Sequence, residues 1–219
     1  MKLYDGGLSP NPFTVRLFIA ERAGLSLEVE QVDLLNLANR RKPYLSVNPR
    51  GQLPALVLDD GTVLTEITAV CEYLDEVAKG GTSLIGDTAE RRATTRMWTR
   101  RMDIEVVDGF VDWWRGGDYA ENLYRGHRVP LSAGREANRL MANQGLNRLD
   151  ADLEGRTYLF GDRPGLPDIL LFAFMFTMKE AVPWLHPPGR LNVAAWFERM
   201  NARPAVAAAQ EGVSGRLAV

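Results

Sequence analysis

Cysteine is nearly missing from this chain, with Cys71 the single one in 219 residues. One thiol can form neither an internal disulfide nor a CxxC redox or zinc pair, which fits a reducing compartment, so a cytoplasmic location is expected. Histidine is almost as scarce: there are only His127 and His186, and no HxxxH pair, Gly-x-Ser-x-Gly elbow or GxxxxGK loop occurs. Metal hydrolase, serine hydrolase and P-loop chemistry therefore lose their usual carriers, and no metal is expected. Neither sign of charge is in excess. The 26 basic and 28 acidic side chains leave a formal net charge of -2, which supports neither nucleic acid nor an anionic membrane as a partner. The longest apolar run, Ile169 to Met178 with one Thr, is too short to span a bilayer. The opening residues, MKLYDGG, have no charged segment followed by an apolar one, so no export leader is expected. What remains is 46% hydrophobic and 25% charged, enough for a sizeable core in one large domain or two small ones.

The stretch richest in chemistry is Asn48 to Glu76, NPRGQLPALVLDDGTVLTEITAVCEYLDE. Pro54 stands before the apolar run Ala55 to Leu58, so its missing N–H falls at a strand entrance, where a ladder tolerates it. Asp60 and Gly61 supply a hairpin turn, and Thr62 to Leu64 returns as a second strand. From Ile67 the apolar residues Val70, Cys71, Leu74, Val77 and Ala78 form one stripe of an amphipathic helix. That helix starts beside Pro54. Its free N–H groups and positive dipole end suit a carboxylate, while Glu66 suits an ammonium group, so the pair fits a zwitterionic amino-acid end.

NPRGQLPAL followed by DDGTVLTEITAVCEYLD resembles the glutathione-binding core of the cytosolic glutathione S-transferase family. The resemblance implies a cis Pro54, a Leu53 backbone that pairs with the cysteinyl backbone of glutathione, and Glu66 gripping the γ-glutamyl end. The family's serine after the acid is Ile67 here, which leaves the Ile67 N–H, with Thr68 nearby, for the γ-glutamyl carboxylate. Arg40 and Gln52 are candidates for the glycyl carboxylate. The activity implied is conjugation of the glutathione thiolate, as co-substrate, to small hydrophobic electrophiles in detoxification. The partner implied is a second copy of the chain in a homodimer. Two alternatives stand beside it: a non-catalytic binding or regulatory protein, and a glutathione-dependent reductase or peroxidase, of which the reductase wants a cysteine in the first loop.

Along the chain, Lys2 to Tyr4 reads as a first strand. Gly6, Gly7, Pro10 and Pro12 come next, then a helix with Asn11 as N-cap and Pro12 at its first position. Leu27, Val29 and Gln31 alternate with Glu28 and Glu30 as a second strand, and Asn39 to Lys42 leads to Asn48. The resulting order, βαβαββα, is a thioredoxin-like arrangement. The fold expected is two-domain α+β: a thioredoxin-like glutathione-binding domain over 1–79, a linker over 80–87 and an all-helical domain over 88–219. In that second part Asp87 and Glu90 read as a capping box opening a helix to Trp113 and Gly116. A helix near 135–153 is expected to bury Leu140, Met141, Leu149 and Leu153. Leu166 to Met178 is apolar all round and reads as a central buried helix with Asp168 at its start. In the family a Ser or Thr precedes that Asp by three residues, where Gly165 stands here. Val193, Trp196, Phe197 and Met200 mark the core face of a further helix.

The candidate partners for the glutathione sulfur are Ser9, Asn11, Tyr4 and Thr14. Spacing from Val15, as in serine-type members of the family, carries the role to Ser9, with Asn11 as the alternative catalytic residue and Tyr4 behind both. Met97, Arg101, Met102, Trp113, Trp114 and Tyr119 are candidates for a second-substrate pocket. Cys71 reads as an inert core thiol.

Overall fold

The computed structural model describes residues 1–124, 126–129, 132–186 and 188–211. The described chain divides into two compact units, one of Met1–Arg91 joined by the segment from Arg203, the other within Arg92–Ala202. No helix among the described residues is long and apolar enough to cross a membrane.

The first unit holds strands β1 (Lys2–Asp5), β2 (Glu28–Gln31), β3 (Ala55–Val57) and β4 (Val63–Leu64), with helices α1 (Pro10–Arg22) and α2 (Ile67–Val77). The sheet order is β2-β1-β3-β4, with β1 parallel to β2 and antiparallel to β3, and β3 antiparallel to β4. This is the expected thioredoxin-like domain, with two single 3-10 turns, Ala38–Arg40 and Tyr44–Ser46, in place of a helix between β2 and β3. Pro43, entered through a cis bond, interrupts that segment and has no N–H to carry a helical ladder through it. Leu3, Phe13, Val15, Leu17, Phe18, Leu56, Val70, Cys71 and Leu74 form the core.

Several local expectations need correction. The N-cap of α1 is Ser9 rather than Asn11, so Pro10 occupies the first helical position and Asn11 the second; two prolines two residues apart offered two equivalent starts. Val29 is 48% exposed, so β2 does not alternate: it is a sheet edge, charged along its length, with Lys2 bridging Glu28 and Glu30. Val77 is exposed and Ala78 lies past the end of α2. Lys79–Ser83, a KGGTS segment that reads from sequence as a flexible connector, is tied down, because the buried Arg22–Asp75 pair at 2.7 Å reaches the Gly80 carbonyl through Arg22 and the Ser83 hydroxyl through Asp75.

The helices of the second unit are α3 (Ala89–Met102), α4 (Asp108–Arg115), α5 (Asp118–Tyr124), α6 (Arg135–Asp152), α7 (Leu166–Met178) and α8 (Leu191–Asn201); α9 (Pro204–Gln210) belongs to the first unit, packed on α1 with Arg203 paired to Glu21. A π-helical turn, Asp103–Val107, joins α3 to α4 without a break. The N-cap of α3 is Thr88 rather than Asp87: its Oγ1 accepts the Arg91 N–H at 3.2 Å. Leu140 and Met141 are 64% and 57% exposed, against expectation. The buried seam of α6 is Ala142, Gly145, Leu146 and Leu149, because α6 lies so close to the π turn that a Cβ on Gly145 would stand 1.9 Å from the Glu105 carbonyl oxygen. Helix α7 is buried all round, and Val193, Trp196, Phe197 and Met200 face the core as expected. Asp168, fully buried, accepts N–H bonds from Gly165, Leu159, Phe160 and the Trp196 indole. Burial pushes its carboxyl up while these four donors pull it down.

Candidate functional site

Strand register brings three segments to one end of the first unit's sheet. Tyr4 faces Ala55 across β1 and β3, so the next steps outward set Asp5 against Pro54 and Gly6 against Leu53. Leu64 faces Leu56 across β3 and β4, which carries Glu66 opposite Pro54 on the other side. With strands about 4.8 Å apart, the Gly6–Ser9 loop, the Leu53-Pro54 bond and the start of α2 fall within roughly 10 Å. The approach of Gly6 is direct, since a Cβ there would stand 3.1 Å from both Leu53 Cδ1 and Pro12 Cγ.

The Leu53-Pro54 peptide bond is cis, and Pro54 is buried. The loop before it is held by side chains. Asn39 donates to the Gly51 carbonyl at 2.7 Å, and both the Asn48 amide, at 2.8 Å, and the Tyr44 hydroxyl donate to the Gln52 carbonyl. Burial pushes the Tyr44 phenol up to about 12, with the Asn48 contact opposing, so it remains a donor throughout the neutral range. Gly51 has φ 63, and a Cβ would meet the Asn39 carbonyl oxygen at 2.8 Å, so only glycine closes this turn. Arg40 lies beside it, donating to the Arg50 carbonyl at 3.4 Å, and Gln52 is exposed.

At the start of α2, Glu66 is the N-cap residue with φ 65 and ψ 117 and makes no side-chain cap bond. A non-glycine residue in this region costs on the order of 1–3 kcal/mol. The Glu66 side chain is exposed, and Ile67 and Thr68 are half-buried behind it. The first turn of the helix contains no acidic residue, so its N–H groups and dipole face outward uncompensated.

On the other side, Ser9 Oγ donates to the Gly6 carbonyl at 3.3 Å. Thr14 is fully buried and donates to the Pro10 carbonyl at 2.9 Å, which removes it from the solvent side. The Tyr4 ring packs on Tyr44 with centroids 5.7 Å apart. Asn11 sits half-buried in the first turn of α1. Ser9, Leu53, Pro54, Glu66 and Ile67 thus share one end of the sheet, with Arg40 and Gln52 on the loop leading into Pro54.

The second-substrate candidates are not gathered in one place. Met97 and Arg101 lie exposed on α3, and Trp113 lies roughly 24 and 18 Å further along the same helical run at 1.5 Å per residue. Trp113 is packed between the Arg135 guanidinium, 4.2 Å from its ring centroid, and the Trp184 ring at 5.4 Å. Trp114 meets Tyr124 at 6.2 Å. Met102 is buried, and the side chain of Tyr119 lies outside those described. Cys71 is fully buried, and desolvation pushes its thiol well up, which leaves it inert.

Asn39, Tyr44 and Asn48, which shape the loop before Pro54, were not among the sequence candidates. One signal was readable: Asn48-Pro-Arg is a turn opener, and Asn48 Oδ1 does accept the Arg50 N–H at 3.1 Å.

Residues 8–77 match the family of glutathione S-transferase N-terminal domains and residues 133–204 that of glutathione S-transferase C-terminal domains. The chain is 30% identical to glutathione S-transferase 3 of Zea mays, over 94% of this chain and 90% of that protein. Its structure is similar to that of Gtt2 from Saccharomyces cerevisiae, with TM-score 0.84 and 27% identity over 95% of this chain and 100% of that one. It is also similar to the β-etherase LigF from Sphingobium sp., with TM-score 0.81 and 26% identity over 96% and 98% of the two chains.

Proposed function

Because this chain belongs to the glutathione S-transferase family, we propose that it binds glutathione at the Pro54 end of the sheet and transfers its thiolate to small hydrophobic electrophiles. The observation that carries this reading is the convergence, at one end of the sheet, of an uncapped α2 start, a strained Glu66 and the Leu53 peptide. The Leu53 peptide groups pair with the cysteinyl backbone, Glu66 takes the γ-glutamyl ammonium, and the Ile67 and Thr68 N–H groups take its carboxylate in place of a serine hydroxyl. Arg40 and Gln52 serve the glycyl carboxylate.

Ser9 is the donor to the sulfur. Its present partner, a neutral carbonyl at 3.3 Å, is worth about 0.5–1.5 kcal/mol, whereas a bond to a thiolate is worth about 1.5–3 kcal/mol, so the hydroxyl turns to the sulfur when glutathione binds. A reductase route that needs a protein thiol has none to run on, since Cys71, the single cysteine, is fully buried, whereas a peroxidase route would use the same glutathione thiolate and is told apart by substrate. An ether-cleaving reaction like that of the β-etherase uses the same thiolate on a different leaving group and is told apart by substrate.

The test is titration of the thiolate absorbance of bound glutathione. In Ser9→Ala the bound thiol should titrate about one to two pH units higher, matching the loss of a charged hydrogen bond, while Glu66→Ala should weaken glutathione binding by about 1.5–3 kcal/mol. No saturable binding by the unaltered protein at millimolar glutathione refutes the enzyme reading and leaves the non-catalytic binding protein. A shift in Asn11→Ala without one in Ser9→Ala moves the donor to Asn11.

A further inference from the structure

Beneath the Gly6–Ser9 loop lies a charged pair that the proposed glutathione contacts leave unused. Asp5 ends β1 with its side chain fully buried, and its Oδ2 accepts the Gln31 amide at 2.8 Å and the Gly7 N–H at 3.3 Å. Arg16, in the second turn of α1 with a side chain only 10% exposed, sets Nε 3.5 Å from the same Oδ2 and donates from Nη2 to the Gly7 carbonyl at 3.3 Å. Gly7 is therefore held at both its N–H and its C=O, in a left-handed conformation with φ 68.

The pair is not arranged to satisfy itself. A fork-to-fork Asp–Arg contact would make two parallel bonds, yet Asp5 Oδ1 and Arg16 Nε are both buried without a hydrogen-bond partner. The guanidinium is turned instead toward the Gly7 carbonyl. Burying it there has a cost, visible in the downward pull of burial on the Arg16 pKa against the opposing charge of Asp5. Only Leu8 separates Gly7 from Ser9, so the loop that Arg16 and Asp5 hold is the one that aims the Ser9 hydroxyl.

We propose that Arg16, braced by Asp5, is a positioning residue that fixes the Gly7 peptide and through it the direction of the Ser9 hydroxyl, so that thiolate stabilisation depends on it without contact. This rests on the reading of Ser9 as the donor to the sulfur. It also separates two properties: the glutathione grip at Leu53 and Glu66 is independent of Arg16, whereas the thiol pKa is not.

The test is a double-mutant cycle on the full chain, read as the thiolate titration of bound glutathione together with its Kd. Arg16→Met should raise the bound thiol pKa by about one unit, roughly tenfold less thiolate well below that pKa, with Kd altered less than about threefold. In a Ser9→Ala background the same substitution should add nothing, because the group it aims is gone. An equal shift in both backgrounds overturns the proposal in favour of a direct charge effect. No shift in Arg16→Met when Ser9→Ala does shift overturns it and leaves the Ser9 reading intact, whereas no shift in either variant removes both. Should Arg16→Met fail to fold with Asp5 left unpaired, Asp5→Asn/Arg16→Met keeps an acceptor for the Gly7 N–H and no lone buried charge. It should show the same rise, and an unmoved thiol there overturns the proposal equally.

Discussion

Asp103 opens the π turn, where the Asp108 N–H donates to the Asp103 carbonyl and sets residues 103 and 108 on one face. Burial, and after it the charge of Asp108, push the Asp103 carboxyl from 3.8 up to about 6, with Arg100 opposing. A carboxyl raised in the folded state binds more protons there than in the unfolded chain, so its contribution is intact below the unfolded value and is lost as pH climbs through about 6. At about 1.4 kcal/mol per unit the rise amounts to roughly 3 kcal/mol, which solvent screening of a partly exposed side chain reduces to about 1–2 kcal/mol. Asp103→Asn keeps the shape and removes the charge. Urea unfolding should find it more stable than the unaltered protein by about 1–2 kcal/mol at pH 7.5, with the difference vanishing below about pH 3.5, where Asp103 is neutral both folded and unfolded. A variant less stable at pH 7.5, or a difference independent of pH, would show that Asp103 is held charged by Arg100 and refute the reasoning.

Two further outcomes rest on packing and on the family. Gly145→Ala drives a Cβ to 1.9 Å from the Glu105 carbonyl oxygen and 2.6 Å from its carbon, backbone atoms that cannot step aside, so the helices must part. Thermal melting should show a loss of about 3 kcal/mol or more, and an unchanged Tm would mean that the π turn does not bear on α6. The family resemblance implies a C2 homodimer, so sedimentation should find about twice the 24.4 kDa of one chain, and a monomer at every concentration contradicts it.

The fold was legible where apolar residues carry the packing. Apart from the half-buried Ile67 and the last turn of α2, helices α2, α7 and α8 bury the residues that their periodicity names, because each packs through Val, Leu, Phe or Trp. Helix α6 packs through Gly145 and Ala142 instead. Small residues let two backbones come close while scoring as weakly apolar, so Leu140 and Met141 took the core positions by size and lost them in space. In β2, an exposed strand with a salt-bridged outer surface, alternation decides nothing because neither face is deeply buried.

The site divides in the same way. Pro54 and Glu66 could be read because their roles are set by backbone: a proline at a strand entrance, an acid at a helix start. Asp5 and Arg16 could not, since their meeting depends on how a helix is laid over a strand end. An aspartate before two glycines looks like any loop acid until the fold closes over it. The α1 cap was misread by two residues for a local reason: Ser9-Pro10 and Asn11-Pro12 present the same polar-then-proline signal, and the helix starts at the first of them.

Gly165 is the departure with the sharpest consequence. A serine at this N-cap would ordinarily add a side-chain bond worth about 1 kcal/mol, and its φ of -129 accepts any residue. Space does not, since a Cβ at 165 would stand 2.5 Å from Phe160 Cγ and 2.8 Å from Phe160 Cβ. Turning the ring clears the first contact only. Clearing the second moves the Phe160 backbone, whose N–H is one of the four donors to Asp168 at 3.2 Å, so the new cap forms at the expense of the buried carboxylate's own bonds. Gly165→Ser should therefore destabilise by about 1–3 kcal/mol, the range for overpacking, rather than stabilise. In a Phe160→Gly background, where both the ring and the Cβ are gone, its cost should fall by at least half, and urea unfolding of the four proteins measures that coupling directly. A stabilising Gly165→Ser in the native background would mean that Phe160 yields freely, and the steric account of the missing hydroxyl would fail.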